Sequence, residues 1–131
     1  MKAEKKNFYI TTTLPYVNDE PHIGFAMEII KADVIARYHT TQGDEVIFNT
    51  GTDEHGLKIY RKALEQGKDP QEYVDEYAEK FKELKSLLNL SFTHFIQTSN
   101  PEHKKAAQEF WRICAAHDDI YKKSYRIKYC V

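Results

Sequence analysis

The chain has 131 residues, 41% of them hydrophobic and 30% charged, and a formal net charge of -1. This length suits one globular domain rather than two, and the balanced charge gives no global positive field that would indicate a nucleic-acid partner. No apolar run approaches the roughly 20 residues that span a bilayer, the start lacks the apolar core of a signal peptide, and only two cysteines occur, so we expect a soluble cytoplasmic protein with no membrane partner.

The first half of the chain predicts a strand, a helix and a second strand. Residues 8–14 are rich in β-branched and aromatic types and end at Pro15, which indicates a strand and then a loop. A helix ending near Gly43 follows, because apolar residues recur at every third or fourth position and predict one buried stripe: Ile23, Met27, Ile30, Val34 and Tyr38. Residues 45–51 form a short apolar run closed by glycine, typical of a buried strand. Such a βαβ unit should have a right-handed crossover.

Two helices are predicted next. The first runs from Glu54 to about Gln66 and stops at Gly67. The second begins at Asp69, whose carboxylate can accept a hydrogen bond from the N–H three residues on, while Glu72 reaches back. The buried stripe of this second helix is expected to consist of Tyr73, Tyr77, Phe81, Leu84 and Leu88.

The remaining residues predict a third strand at 92–98, a further helix and a final strand or hairpin at 120–131. The helix should run from Pro101 to about His117, with an apolar side that includes Phe110 and either Ile113 or Cys114. Strands that alternate with helices indicate an α/β fold with a mostly parallel sheet flanked by helices. In such a fold, ligands bind beyond the carboxyl ends of the strands.

The loop after the first strand, LPYVNDEPHIGF at 14–25, lies at such a strand end. His22 and Gly24 open the predicted first helix, where free N–H groups and the positive end of the helix dipole favour a phosphate. An imidazole can donate to phosphate oxygens, and Gly24 lets a base or ribose approach the backbone. The alternative is that His22 only caps the helix or faces solvent, and that Gly24 is a packing contact.

The turn after the second strand, GTDEHG at 51–56, holds two acidic residues and a histidine in succession. Asp53 can supply the carboxylate that an amino acid's ammonium group needs. A metal site is the competing interpretation, although adjacent residues seldom converge on one ion. The plainest alternative is that Asp53 is the N-cap of the helix that follows. Leu14 and Tyr16 can line a side-chain pocket beside these polar groups or simply fill the core.

The order of these motifs resembles the start of bacterial methionyl-tRNA synthetases, which are class I enzymes, across nearly the whole chain. The segments that carry the resemblance are TTTLPYVN, PHIGF, ADVIARY, GTDEHGLKI, PQEYVDEYAEKFKELKSLLNLSFTHFIQT and IYKKSYRIKYCV. The resemblance implies that residues 1–131 are the N-terminal part of the catalytic domain, the first half of a Rossmann-like nucleotide-binding fold, truncated at the start of the connective insertion. It also implies an ATP-dependent methionine–tRNA ligase whose partners are methionine, ATP with magnesium, and tRNA.

By the same resemblance, residues 15–25 match the family's His-Ile-Gly-His region. His22 is then expected to be catalytic, stabilising charge on the α-phosphate, and His22 and Gly24 to contact ATP. The signature's second histidine is replaced by Phe25, which keeps a stacking face for ATP but loses the polar contact. Leu14, Tyr16 and Asp53 match the methionine pocket, with Asp53 holding the substrate's amino group.

Other family elements do not occur in this sequence. They include the Lys-Met-Ser-Lys-Ser loop, which clamps the pyrophosphate side of ATP, and the fragment alone is therefore expected to be inactive. In many relatives a Cys-x-x-Cys zinc motif begins where this sequence has Cys130, and one cysteine cannot hold zinc, so no zinc is expected. Two rival interpretations are a nucleotidyltransferase of the same superfold that stops at the adenylate, and a catalytically inactive nucleotide- or protein-binding module.

Overall fold

The computed structural model describes residues 6–128. The chain forms two compact units, one that ends at Asn100 and one that begins at Pro101. The first unit contains a parallel sheet and three helices, and the second contains a single helix followed by irregular chain. Within the described residues, no helix combines the length and the apolar character needed to cross a membrane.

The sheet of the first unit has three parallel strands in the order β1-β2-β3, namely Asn7–Thr11, Glu45–Thr52 and His94–Gln97. Asn7 pairs with Glu45 at the start of β1 and β2, and Asn49 pairs with His94 at the start of β3. The prediction of an α/β fold with a parallel sheet is confirmed. β1 ends three residues before the predicted boundary, because the Thr13 N–H donates to the Glu28 carboxylate at 2.7 Å instead of continuing the ladder.

Three helices connect these strands. α1, Ile23–Thr41, lies between β1 and β2, while α2, Leu57–Glu65, and α3, Pro70–Leu87, lie between β2 and β3. α1 and α3 pack against the sheet, as the prediction of flanking helices requires. α2 begins later than residue 54, because Gly56 has a φ of 125°, which a helix cannot include. The Asp69 carboxylate caps α3 by accepting from the Gln71 N–H at 2.8 Å, one residue earlier than the capping box predicts.

The buried face of α1 differs from the predicted stripe. All five predicted residues are exposed, from 42% at Ile30 to 87% at Ile23. The face that packs inward consists of Phe25, Ile29, Ala32, Asp33 and Ala36. Both sets recur at helical spacing, so periodicity alone cannot choose between them. The inward face carries two alanines, whose small side chains let the helix approach the sheet closely.

A buried carboxylate ties α1 to the segment before β3. Asp33 accepts hydrogen bonds from the N–H and Oγ of Ser91 at 2.5 and 2.6 Å and from Nε of Arg37 at 2.6 Å. Burial acts to raise the pKa of Asp33, but the hydrogen bonds from Ser91 and Arg37 outweigh burial and hold that pKa below its usual value. The ionised carboxylate therefore fixes the position of α1 beside the sheet.

The core lies between the sheet and its helices, and the predicted stripe of α3 contributes to it. Tyr73 and Phe81 are buried, and Tyr77 and Leu84 pack against the core while partly exposed. Leu88 is 36% exposed, because α3 ends at the preceding residue. Four of the five predicted positions therefore face the core.

Gly51 is required by the pairing of β2 and β3. A Cβ at this position would lie 1.9 Å from the carbonyl oxygen of Ile96, far inside van der Waals contact. Any other residue would separate the two strands just before their carboxyl ends. The glycine thus permits the close approach on which the turn at 52–56 depends.

The second unit contains α4, Pro101–Ala116, which begins at the predicted proline and ends one residue before His117. None of its residues is buried, and Phe110 of the predicted apolar side is 68% exposed. The predicted strand or hairpin is wrong for residues 120–128, which have no regular secondary structure. A strand needs a hydrogen-bonded neighbour, and no strand among the described residues pairs with this segment. Residues 129–131, including Cys130, lie outside the described part.

Candidate functional site

Two loops meet beyond the carboxyl ends of β1 and β2. The Asp53 N–H donates to the Pro15 carbonyl at 2.9 Å, and the Val17 N–H donates to the Asp53 carbonyl at 3.2 Å. Tyr16 and Asp53 thereby form an isolated parallel bridge after the two strands have ended. The loop at 12–22 and the turn at 51–56, which are separate in sequence, become one site through this pairing.

His22 stands at the N-terminus of α1 as its cap. Its Nδ1 accepts a hydrogen bond from the Gly24 N–H at 3.1 Å, so this nitrogen carries no proton. Because Nδ1 is the acceptor, Nε2 is the ring nitrogen that carries a proton, and it can donate away from the helix. Capping and donation use different nitrogens. The positive end of the helix dipole and the Nε2–H of His22 both favour an anionic group at the N-terminus of α1.

Gly24 is held close to the His22 ring. A Cβ added at position 24 would lie 2.9 Å from Cε1 and 3.0 Å from Nδ1 of His22. A larger residue would have to displace the imidazole and so weaken the cap. Glycine at this position therefore leaves room for the His22 ring in its observed orientation and keeps the backbone accessible.

Phe25 lies mostly in the core, where 7% of its surface is exposed. Its ring packs edge-on against Phe81 of α3, with 5.5 Å between centroids. The same ring also forms part of the wall of a cavity beside the two loops. Packing in the core and contact with the cavity are both compatible with this position.

The cavity has a volume of about 330 Å³. It brings together four of the six predicted site residues, Tyr16, His22, Gly24 and Phe25, with carboxylates from Asp19, Glu20 and Glu28. Leu14 and Asp53 are half-buried neighbours and do not line it. The predicted nucleotide-binding residues therefore share one cavity, and Asp53 joins it through the backbone pairing with Tyr16.

Asp53 is not the cap of the helix that follows. The N-cap of α2 is Gly56, and no side chain caps that helix. The structure therefore contradicts the plainest alternative for Asp53, because the turn at 54–56 places the helix start too far along the chain. The half-buried carboxylate beside Tyr16 retains its capacity to bind a cation.

Several carboxylates near the site already have partners within the fold. Glu28 accepts from the N–H and Oγ1 of Thr13 at 2.7 and 2.9 Å, which fixes the start of the loop at 12–22. Glu20 pairs with Lys80 of α3 at 2.7 Å, and this hydrogen bond raises the pKa of Lys80 above its usual value. These contacts hold the loop at 12–22 against α1 and α3, beside the cavity.

Sequence reasoning did not assign Glu28 or Glu54. Glu28 lies four residues after Gly24 and so on the same helix face, which was a usable signal for a contact with the loop. For Glu54 the sequence indicates a helix start and a possible metal ligand, whereas burial cannot be read from a turn flanked by glycines. Among residues 6–128, no three His, Cys, Asp or Glu side chains converge where an ion could bind.

Comparison with known proteins relates this site to one family. The sequence model of a family described as tRNA synthetases class I (M) matches residues 8–131. The methionine–tRNA ligase of Thermotoga maritima is 51% identical over 124 residues, which are 95% of this chain and 20% of the relative. That of Fusobacterium nucleatum is 42% identical over 127 residues, which are 97% of this chain and 20% of the relative.

One of the solved structures that resemble the chain also shares much of its sequence. It is the methionyl-tRNA synthetase of Mycobacterium tuberculosis in complex with methionyl-adenylate, with a TM-score of 0.86 and 40% sequence identity. The match covers 88% of this chain and 23% of that one. The chain thus spans about a fifth of the length of the curated relatives named above.

Proposed function

The chain belongs to the class I (M) tRNA synthetases, and from this premise we propose that residues 1–131 form the N-terminal part of the catalytic domain of a methionine–tRNA ligase. In the proposed reaction, methionine and ATP give methionyl-adenylate and pyrophosphate, and the methionyl group then passes to tRNA in the cytoplasm. The relatives named as methionine–tRNA ligases support this proposal. They favour neither a nucleotidyltransferase that ignores tRNA nor an inactive binding module.

The single observation that carries the proposal is the bridge between Tyr16 and Asp53. It brings an aromatic residue and a half-buried acidic residue next to each other beyond the ends of two parallel strands. An amino acid needs such a pair, because its ammonium group requires an anion and its apolar side chain requires an apolar wall. Asp53 is assigned to the ammonium group, and Tyr16 and Leu14 to the methionine side chain.

The nucleotide is assigned to the cavity at the start of α1. ATP, taken as its magnesium complex, would place its α-phosphate near His22 and its sugar or base near Gly24. A carboxylate oxygen of methionine attacks the α-phosphorus, and the bond from that phosphorus to the bridging oxygen breaks as pyrophosphate leaves. His22 donates a hydrogen bond from Nε2 to the phosphate oxygens as their charge increases. Phe25 contributes only the apolar wall behind this group.

The proposal is tested in a hybrid enzyme, in which residues 8–131 of this chain replace the matching segment of the Thermotoga maritima ligase. In methionine-dependent exchange of pyrophosphate into ATP, Asp53→Ala should raise the KM for methionine by roughly 30-fold or more, equivalent to about 2 kcal/mol of lost ion pairing. The KM for ATP should change little.

Two further variants make the result specific. Asp53→Asn keeps the size of the side chain and removes its charge, and it should lose most of the methionine affinity as well. Asp69→Ala removes an aspartate that only caps α3, and it should leave both KM values unchanged. If Asp53→Ala binds methionine as well as the unaltered hybrid does, the assignment of Asp53 is wrong.

A further inference from the structure

Glu54 is a charged side chain buried at the carboxyl ends of β2 and β3, with 4% of its surface exposed. The proposed reaction gives it no task. A carboxylate at such a depth is costly unless hydrogen-bond donors surround it. Three do so here: Thr52 Oγ1 donates to Oε1 at 2.6 Å, and the Oγ and N–H of Ser99 donate to Oε2 at 2.5 and 3.2 Å.

The hydrogen bonds extend from Glu54 to two other elements. The Glu54 N–H donates to Thr98 Oγ1 at 2.8 Å, and the Thr98 N–H donates to the Thr52 carbonyl at 3.2 Å. Ser99 in turn accepts from the Gln71 side chain of α3 at 2.9 Å. The chain immediately after Asp53 is thus fixed to the end of β3 and, through Ser99, to α3.

Asp53 lies between two such attachments. On one side its backbone pairs with Pro15 and Val17 of the loop at 12–22. On the other side its neighbours Thr52 and Glu54 are buried, and hydrogen bonds join them to Thr98 and Ser99 just after β3. Successive side chains of an extended chain point in opposite directions, so the inward anchorage of these neighbours determines where the Asp53 carboxylate points.

We propose that Glu54 is a positioning residue, which clamps the chain beyond Asp53 to β3 and so holds the Asp53 carboxylate where a substrate's ammonium group binds. The inference rests on the proposed function of Asp53 and adds the residue that sets its geometry. Displacement of a binding group by about 1 Å can cost on the order of 100-fold in activity. Without this clamp the turn after Glu54 would permit such a displacement, because it contains Gly56, and glycine has more backbone freedom than other residues.

The test uses the hybrid enzyme with Glu54→Ala and Glu54→Gln. Glu54→Ala should raise the KM for methionine by about 10–100-fold and leave the KM for ATP within about threefold. Glu54→Gln should restore most of the methionine affinity. Its amide oxygen can accept from both donors of Ser99, while its amide nitrogen donates to a reoriented Thr52 hydroxyl.

Asp33 supplies a matched control, because it is also a buried carboxylate that accepts from the N–H and Oγ of one serine. Asp33→Ala should lower the urea midpoint of unfolding as Glu54→Ala does, with no selective change in the KM for methionine. Should Glu54→Ala fail to fold, Ser99→Ala removes one donor to Glu54, and Ser91→Ala is its counterpart at Asp33. Ser99→Ala is then expected to raise the KM for methionine selectively by a few-fold, and Ser91→Ala to leave it unchanged.

The outcomes separate this inference from the proposed function. A selective loss of methionine affinity in Asp53→Ala but not in Glu54→Ala or Ser99→Ala would overturn the role of Glu54 alone. Equal changes in the KM for methionine in the Asp33 and Glu54 variants would also overturn it, because they would show that Glu54 contributes only to stability. A selective effect of Glu54→Ala with none in Asp53→Ala would instead overturn the assignment of Asp53 and, with it, the target of the clamp.

Discussion

His22 is a residue with two distinct hydrogen-bonding positions. Nδ1 caps α1 through the Gly24 N–H, and Nε2 is left to donate to a ligand. The two roles can be separated, because asparagine is a good helix cap but has no group at the position of Nε2. A purely structural histidine would tolerate that exchange.

In the hybrid enzyme, His22→Ala should lower the rate of adenylate formation by about 10²–10³-fold, as expected when one preorganised donor to a developing charge is lost. Methionine binding should scarcely change. His22→Asn restores the cap and should remain nearly as slow as His22→Ala. Single-turnover measurement of adenylate formation provides the rates, and a His22→Asn enzyme as fast as the unaltered hybrid would reduce His22 to a cap.

A variant at Gly24 tests the role of His22 independently. Gly24→Ala introduces a Cβ within 3.0 Å of the imidazole and should slow adenylate formation by displacing the ring, without removing any functional group. A normal rate in Gly24→Ala combined with a slow rate in His22→Ala would show that the ring's orientation is not critical.

Phe25 presents the opposite balance of roles. Its ring is buried against Phe81 and reaches the cavity only with part of its surface. Phe25→Ala is therefore expected to lower the free energy of unfolding by about 3–5 kcal/mol, mainly through the space it leaves in the core. Urea unfolding and the KM for ATP, both measured on the same hybrid, distinguish a ring that stabilises the core from a ring that contacts ATP. A variant with unchanged stability and weakened ATP binding would place the ring on the nucleotide.

At the scale of elements, α1 depends on one ionised carboxylate for its position. The folded-state pKa of Asp33 lies below the value of 3.8 that an unperturbed carboxyl has. A depressed pKa stabilises the folded state above the unfolded-state pKa, and this stabilisation is lost as pH falls through the folded-state pKa. The contact between α1 and the segment before β3 should therefore weaken only in acid.

Asp33→Asn in the 131-residue chain tests this dependence. At pH 7 the variant should be less stable by about 1–3 kcal/mol, because the charged hydrogen bonds to Ser91 and Arg37 are weakened. Below pH 4 the difference should shrink, since the unaltered chain loses its advantage on protonation while the amide does not titrate. Urea unfolding at pH 7 and pH 3 provides the comparison. A difference that is equal at both values would show that the charge of Asp33 contributes nothing.

For the molecule as a whole, we expect this chain to contain only part of the proposed site. The 131-residue chain carries the groups assigned to the ammonium and the α-phosphate. Its sequence contains no Lys-Met-Ser-Lys-Ser motif, which by the family resemblance is expected to clamp the pyrophosphate side of ATP.

The chain alone should therefore show no methionine-dependent exchange of pyrophosphate into ATP, whereas the hybrid enzyme should exchange readily. The hybrid with His22→Ala serves as the control for contaminating ligase, because its exchange should be strongly reduced. Exchange by the isolated 131-residue chain at a rate comparable with the hybrid would contradict this division of the site.

The sequence by itself determined the order of the strands and helices as far as α4, and it predicted where the site lies. Gly67 and Asp69 marked the end of α2 and the start of α3, because capping acts locally along the chain. The loops at 14–25 and 51–56 were identified as strand-end loops. The tertiary structure alone decided which face of α1 is buried, because two apolar sets share the same helical period. It alone also identified Gly56 rather than Asp53 as the N-cap of α2, because the path of a turn between two glycines is not fixed by its local sequence. It alone gave Glu54 the two donors of Ser99, because these residues lie 45 positions apart in the chain.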